Sequence, residues 1–262
     1  MKLNYKEYYN HCKTIYKGDF KGAHPLNKLT TLIYTPESDK FPFPPNYKNT
    51  IKTISNYVSN KLDTKTDLFD PNHQNIVKVN NHYDCKEIAE LGNYFGKFLE
   101  ENTYNCPCIV EAVLVYQSLP NKIERASWLW HYDNNVNEQL KLMVYLNDVK
   151  ENTGAFEVLY NGKDGKKSDT DIAGSRVPPS HIEKYVNEGY KITPIVGPEG
   201  TFCIFDPNCI HRATTPESLP YRIAMVYNFR PYHKNIDNRV NKTFTKTWSN
   251  LDNIKVFNTK TD

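Results

Sequence analysis

The chain has 262 residues, with 33 basic and 30 acidic side chains, a net charge of +3 and 39% hydrophobic residues. That length is ample for one domain with a full core, and the near-balance of charge excludes binding to nucleic acid or a membrane surface through a basic field. No apolar run reaches membrane-span length, none follows Met1-Lys2-Leu3 as a signal segment would, and the six cysteines lack zinc-site or disulfide-framework spacing, so a reducing, cytoplasmic setting is expected.

In chain order, residues 5–17 and 50–61 have helical periodicity, and Phe41-Pro42-Phe43-Pro44-Pro45 between them is held extended by its prolines. The clearest helix covers 85–101, where Ile88, Leu91, Tyr94, Phe95, Phe98 and Leu99 recur at spacings of three and four. From residue 110 the pattern changes to short β-rich runs: Val110–Leu119, Ser127–Asp133, Leu140–Asp148, Ala155–Tyr160, Lys191–Val196, Thr201–Asp206 and Tyr221–Phe229. Turn residues separate them, among them Asn152-Thr153-Gly154, Gly197-Pro198-Glu199-Gly200 and Pro207-Asn208. With Thr31–Thr35 as a further candidate, these strands predict a mainly β sandwich or jelly roll with flanking helices. Residues 161–190 interrupt the strands and contain a short helix, with Ser180 as N-cap and Glu183 completing a capping box. The expected organisation is a single domain over 1–262. Residues 1–109 form a helical and loop part packed on the barrel, 110–230 the β core with its insertion at 161–190, and 231–262 a tail.

The chemistry-bearing pattern is His-x-Asp/Glu. On a strand, residues i and i+2 point to the same side, roughly 7 Å apart, and can converge on one metal ion. Two imidazoles and one carboxylate leave several positions open for a co-substrate and oxygen, the arrangement suited to iron(II). The motif occurs three times, as His82-Tyr83-Asp84, His131-Tyr132-Asp133 and His181-Ile182-Glu183. Asp84 is better explained as the cap of the 85–101 helix, and Glu183 by its own capping box. His131 and Asp133 instead end a run in which Trp128, Trp130 and Tyr132 take the opposite face. His211 follows the Thr201–Asp206 run and supplies a distant third ligand. Arg222 comes eleven residues later at the start of the final run, placed to give the distal carboxylate of 2-oxoglutarate a planar two-point partner. Arg230 shares that strand face, but eight residues of strand separate it from Arg222 by roughly 27 Å. Both cannot serve one small dicarboxylate.

These residues resemble the phytanoyl-CoA dioxygenase family of Fe(II)/2-oxoglutarate oxygenases. The resemblance runs through Val115-Tyr116-Gln117-Ser118, Trp130-His131-Tyr132-Asp133, Leu146-Asn147-Asp148, Asn152-Thr153-Gly154-Ala155-Phe156, Gly200–Asp206, His211 and Arg222. It implies a double-stranded β-helix, the cupin-like jelly roll. It further implies iron on His131, Asp133 and His211, 2-oxoglutarate on Arg222, and O2-dependent oxidation of a small molecule with release of succinate and CO2. Hydroxylation is the usual outcome, and the presence of Asp133 disfavours the halogenating branch. A family stretch of the Pro-Gly-Ser-His kind is replaced here by Leu159-Tyr160-Asn161-Gly162-Lys163 and the insertion.

Further contacts follow from alternation. Leu140, Leu142, Val144 and Leu146 are expected to face the helices, leaving Lys141, Met143 and Tyr145 toward the cavity. Tyr145 and Gln117 are candidate 2-oxoglutarate contacts, and Arg176 in the insertion is a candidate for an anionic substrate group. Three alternatives stay open: a metal-binding barrel without turnover, an enzyme using a metal but no 2-oxoglutarate, and a protein hydroxylase. Members of the last group hold 2-oxoglutarate with a lysine from another strand, a part Lys141 could fill.

Overall fold

The computed structural model describes residues 31–63, 76–79, 82–104, 108–120, 126–133, 139–167 and 175–231. The helix expected over 5–17 and the tail after 231 lie outside these residues. The strands are β1 (Thr31–Tyr34), β2 (Ile76–Lys78), β3 (Cys108–Ser118), β4 (Leu140–Tyr145), β5 (Phe156–Tyr160), β6 (Lys191–Ile195), β7 (Phe202–Phe205), β8 (His211–Ala213) and β9 (Ile223–Pro231). The α-helices are α1 (Tyr47–Asp63), α2 (Lys86–Leu99) and α3 (Pro179–Asn187). None is long and apolar enough to cross a membrane.

Six strands form one antiparallel sheet in the order β1-β7-β4-β9-β3-β2, and three form a second in the order β6-β5-β8. The large sheet has two buried faces. Leu140, Leu142, Val144 and Leu146 pack with Ile223, Met225, Tyr227 and Phe229 against α1 and α2, as the alternation predicts. Met143, Tyr145, Cys203, Phe205, Ala224 and Val226 face the other way and meet Phe156, Val158 and Ile195 of the small sheet. That second layer is the barrel interior. A third cluster joins Trp130 and Tyr132 to Ile182 and Tyr185 of α3.

The helices dock through apolar stripes and a few long-range hydrogen bonds. Tyr47, Ile51, Ile54 and Val58 bury one face of α1, and the Tyr47 hydroxyl donates to the Gly200 carbonyl at 2.7 Å. On α2, Tyr227 donates its buried hydroxyl to the Ile88 carbonyl at 2.7 Å. That bond fixes a ring against Gly92, where an added Cβ would come 2.9 Å from Tyr227 Cε1. Gly to Ala in a helix ordinarily gains about 0.5–1 kcal/mol, whereas forcing a methyl into a packed core costs about 1–3 kcal/mol. The second effect wins because the Tyr227 ring is held at both ends. Gly92→Ala should lower stability by about 1 kcal/mol, read as a lower midpoint in urea with an unchanged slope.

Several local expectations need correction. Ser127–Asp133 is not a strand: a 3-10 turn covers Ala126–Trp128 and His131 forms isolated bridges. Its alternation survives because successive backbone groups bond to different segments. Val177 N–H donates to the Trp130 carbonyl, Tyr132 N–H to Ser175 and Asp133 N–H to Pro207. His211, which follows the predicted Thr201–Asp206 run and its Pro207-Asn208 turn, belongs to a further strand, β8, which pairs with β5. Pro178 caps α3, with Pro179 at its first position and no side-chain cap. Proline needs no partner for a missing N–H there, so Ser180 and Glu183 lie inside the helix. Likewise Cys85, not Asp84, is the N-cap of α2.

Candidate metal centre

His131 and His211 face each other across the open edge of the small sheet. The His131 amide donates to the His211 carbonyl at 3.0 Å, and the His211 amide returns the bond at 2.9 Å. In an antiparallel pair of that type both side chains project from the same face. The imidazole centroids are accordingly 4.3 Å apart. Asp133, two residues beyond His131, returns to the same side, with Oδ1 3.6 Å from His131 Nε2 and 3.9 Å from His211 Nε2. One ligand atom from each of the three residues lies within 4.8 Å of the others, the one such cluster among the described residues.

The rings are turned for coordination. His131 Nδ1 lies 2.8 Å from the Leu129 carbonyl and His211 Nδ1 2.7 Å from the Cys209 carbonyl. A carbonyl only accepts, so each Nδ1 carries the proton and each Nε2 presents a lone pair toward Asp133. Phe156 and Phe205 flank the His211 ring, each with its centroid 5.3 Å away. The other two motif copies assemble nothing comparable: Asp84 and Glu183 are exposed, and the His82 Nδ1 lies 3.1 Å from the Val79 carbonyl.

Electrostatics keeps the imidazoles neutral. Burial, reinforced by His131 and only partly opposed by Asp133, pushes the His211 pKa down to about 3. Burial also lowers His131, against the raising effects of the Leu129 carbonyl and Asp133. For Asp133, burial favours the neutral acid, but Lys141 and the two histidines outweigh it and the net shift is downward. Lys141 Nζ donates to Asp133 Oδ2.

A consequence for stability follows. Above about pH 6.5 His211 is neutral whether folded or unfolded, and its contribution is constant. As pH falls below that value the unfolded chain takes up a proton that the folded chain refuses until about pH 3. Stability of the metal-free protein should therefore fall between these limits, by on the order of 2 kcal/mol at pH 5 from His211 alone. Urea unfolding at pH 7 and pH 5 measures it. His211→Phe, which cannot be protonated, should lose that part of the difference.

Arg222 immediately precedes β9 and is 1% exposed. Its backbone is held from several sides. Its N–H donates to Thr153 and its carbonyl accepts from Ser118. The Asn147 amide spans the residue, donating to Tyr221 O at 3.1 Å and accepting from Ile223 N–H at 2.7 Å. Arg222 Nη2 donates to Ser118 Oγ at 2.8 Å, and the guanidinium stands 5.7 Å from the Tyr116 ring centroid. Its Nε and Nη1 are buried with no hydrogen-bond partner. Two unsatisfied donors on a buried cation are costly, and an anionic acceptor such as a carboxylate would relieve that cost.

Tyr145 feels the Arg222 charge and its hydroxyl accepts the Phe156 N–H at 3.2 Å. Phe156 in turn packs on His211. The Tyr145 proton goes to the Ile195 carbonyl at 2.8 Å, so the tyrosine braces the two sheets and the donor part expected of it is already occupied. Gln117 pairs with Ile223 and shares a strand face with Val113 and Val115, which belong to the helix-side core. That is the face away from Arg222. Tyr116 and Ser118, its neighbours, point inward instead. Arg176 is exposed and forms a backbone bridge to His131, which puts it at the mouth. Sequence reasoning missed Ser118, Tyr116 and the bracing by Asn147. All three stand within the motifs quoted above, which gave them no individual role.

No protein-family model matches the sequence, and no curated protein matches it. Solved structures do resemble it. EctD from S. alaskensis, crystallised with 2-oxoglutarate and 5-hydroxyectoine, shares 12% identity at a TM-score of 0.54, covering 79% of this chain and 74% of its own. The same enzyme with bound Fe gives 14% identity, a TM-score of 0.52 and coverages of 84% and 78%. SnoN, a non-heme alpha-ketoglutarate-dependent epimerase from nogalamycin biosynthesis, gives 12%, 0.51, 79% and 80%. At such identities the likeness is one of fold, and the chain has the double-stranded β-helix, or jelly roll, of these iron and 2-oxoglutarate enzymes.

Proposed function

We propose that this chain is an Fe(II)/2-oxoglutarate-dependent oxygenase of the phytanoyl-CoA dioxygenase type, hydroxylating a small molecule. One observation carries the reading. One barrel carries both a His-Asp-His donor set and a buried arginine with two unpartnered donors.

His131, Asp133 and His211 would hold iron, and three protein ligands leave room for a bidentate co-substrate and O2. When bound, iron with 2-oxoglutarate and O2 supplies an oxidant for a substrate C–H bond, with succinate and CO2 as co-products. The protein's own part is positioning. The Leu129 and Cys209 carbonyls hold both rings with Nε2 inward. Arg222 and Ser118 receive the distal carboxylate, Tyr116 packs beside it, and Tyr145 keeps the sheets at the right separation. Phe156 and Phe205 exclude water from the His211 side. At the mouth, Arg176 would meet an anionic group of the substrate. A reducing, cytoplasmic setting accords with the buried free cysteines Cys85 and Cys203.

Anaerobic titration of the metal-free protein with iron(II), then 2-oxoglutarate, tests this. The expected result is a weak visible charge-transfer band saturating at one equivalent of each. Iron uptake without a band would favour a metal enzyme that does not use 2-oxoglutarate. No iron uptake would refute the reading. Because SnoN is an epimerase, product analysis should look for altered stereochemistry as well as an added hydroxyl.

A further inference from the structure

Lys141 lies on the inner face of β4, with Phe205 on β7 and Asn228 on β9 as its cross-strand neighbours. Its ammonium reaches Asp133 Oδ2, whereas the other carboxylate oxygen, Oδ1, faces His131 Nε2 and His211 Nε2 at 3.6 and 3.9 Å. The two oxygens are thus divided between two cations, one in the chain and one the site would recruit. Both side chains are about one-fifth exposed, so the pair sits where water screens it poorly.

A carboxylate can bind a metal through one oxygen or both. In a six-coordinate site, two imidazoles and a one-oxygen carboxylate leave three positions, enough for a chelating 2-oxo acid and O2. A two-oxygen carboxylate leaves two, and the chelate fills them. We propose that Lys141 is a positioning residue that restricts Asp133 to one-oxygen coordination and so keeps the O2 position open. The inference rests on the function proposed above. It also gives Lys141 a different task from clamping 2-oxoglutarate, which falls to Arg222.

The test uses nitric oxide as a probe of the open position in the full-length Fe(II)·2-oxoglutarate protein, followed by its electron paramagnetic resonance signal. Iron affinity and the charge-transfer band are measured on the same samples. Lys141→Met keeps the unbranched stem and removes the charge. It should bind iron and 2-oxoglutarate within about threefold of wild type and nitric oxide at least tenfold more weakly. Lys141→Arg, which retains a cationic donor, should recover most of the nitric oxide affinity. Lys141→Gln, too short and uncharged, replaces the methionine variant if that one fails to fold. Unchanged nitric oxide affinity in the methionine or glutamine variant overturns the proposal, as does collapse of iron binding, which would make Lys141 a determinant of metal affinity. Loss of the band alone would return it to the 2-oxoglutarate clamp. A wild type with no band at all refutes the proposed function itself, and this inference with it.

Discussion

Arg222→Met should leave the metal-free protein at least as stable as wild type while weakening 2-oxoglutarate binding by about 30-fold to 1000-fold. The two halves of that result have one cause. The guanidinium is almost fully buried, yet only Nη2 has a partner, the Ser118 hydroxyl at 2.8 Å. Without a carboxylate the fold bears the desolvation of a cation that it does not repay. Replacing such groups with apolar side chains is often neutral or stabilising by about 1–4 kcal/mol. With a carboxylate present, the lost charge-assisted pair is worth on the order of 2–4 kcal/mol. Arg222→Lys should lie between, because a point charge cannot reproduce the planar fork. Thermal melting of the metal-free variants and titration of the charge-transfer band give both quantities. A methionine variant that binds 2-oxoglutarate normally would reduce Arg222 to a structural residue.

His131→Ala and His211→Ala should each abolish stoichiometric iron uptake at micromolar protein. The loss should exceed the tenfold to hundredfold that removing an outer partner of a metal ligand typically costs. Wild-type protein should melt at higher temperature as iron(II) is added, since binding only the folded state stabilises it by mass action. Neither variant should show that shift. The two differ in the metal-free state. His211 is enclosed by Phe156, Phe205 and His131, so its truncation leaves a hole and lowers stability. The lost acid sensitivity partly offsets this below pH 6.5. A variant that still takes up one iron per chain would mean that the metal binds elsewhere.

Much of this was legible from residue order. The strands of the core fall within a few residues of the β-rich runs, and the Leu140-to-Leu146 alternation correctly assigned the helix side and barrel side of β4. Gln117 was harder. Apolar residues occupy both faces of β3, Val113 and Val115 packed with the helices and Leu114 and Tyr116 on the other side, so hydrophobicity alone leaves the direction of Gln117 undecided. A register shift between Val110 and Ala112 adds to the ambiguity, since one extra residue inverts every side chain beyond it. Tyr145 was assigned the right face, but the partner its hydroxyl has here, the Ile195 carbonyl, lies fifty residues away and had no signal in the sequence.

By itself, the sequence determined what depends on near neighbours. That includes the periodicities of the elements, the spacing of two that returns Asp133 to the side of His131, and the eleven residues from His211 to Arg222. The tertiary structure decided which of three similar motifs becomes a site. His131 meets His211 through a two-way backbone bridge across eighty residues of chain. The choice of Nε2 as the nitrogen turned toward Asp133 comes from carbonyls of the folded backbone, and Lys141 finds Asp133 only once β4 is in register. Local spacing can orient a pair of side chains, but convergence of distant ones is a property of strand pairing, which no single segment encodes.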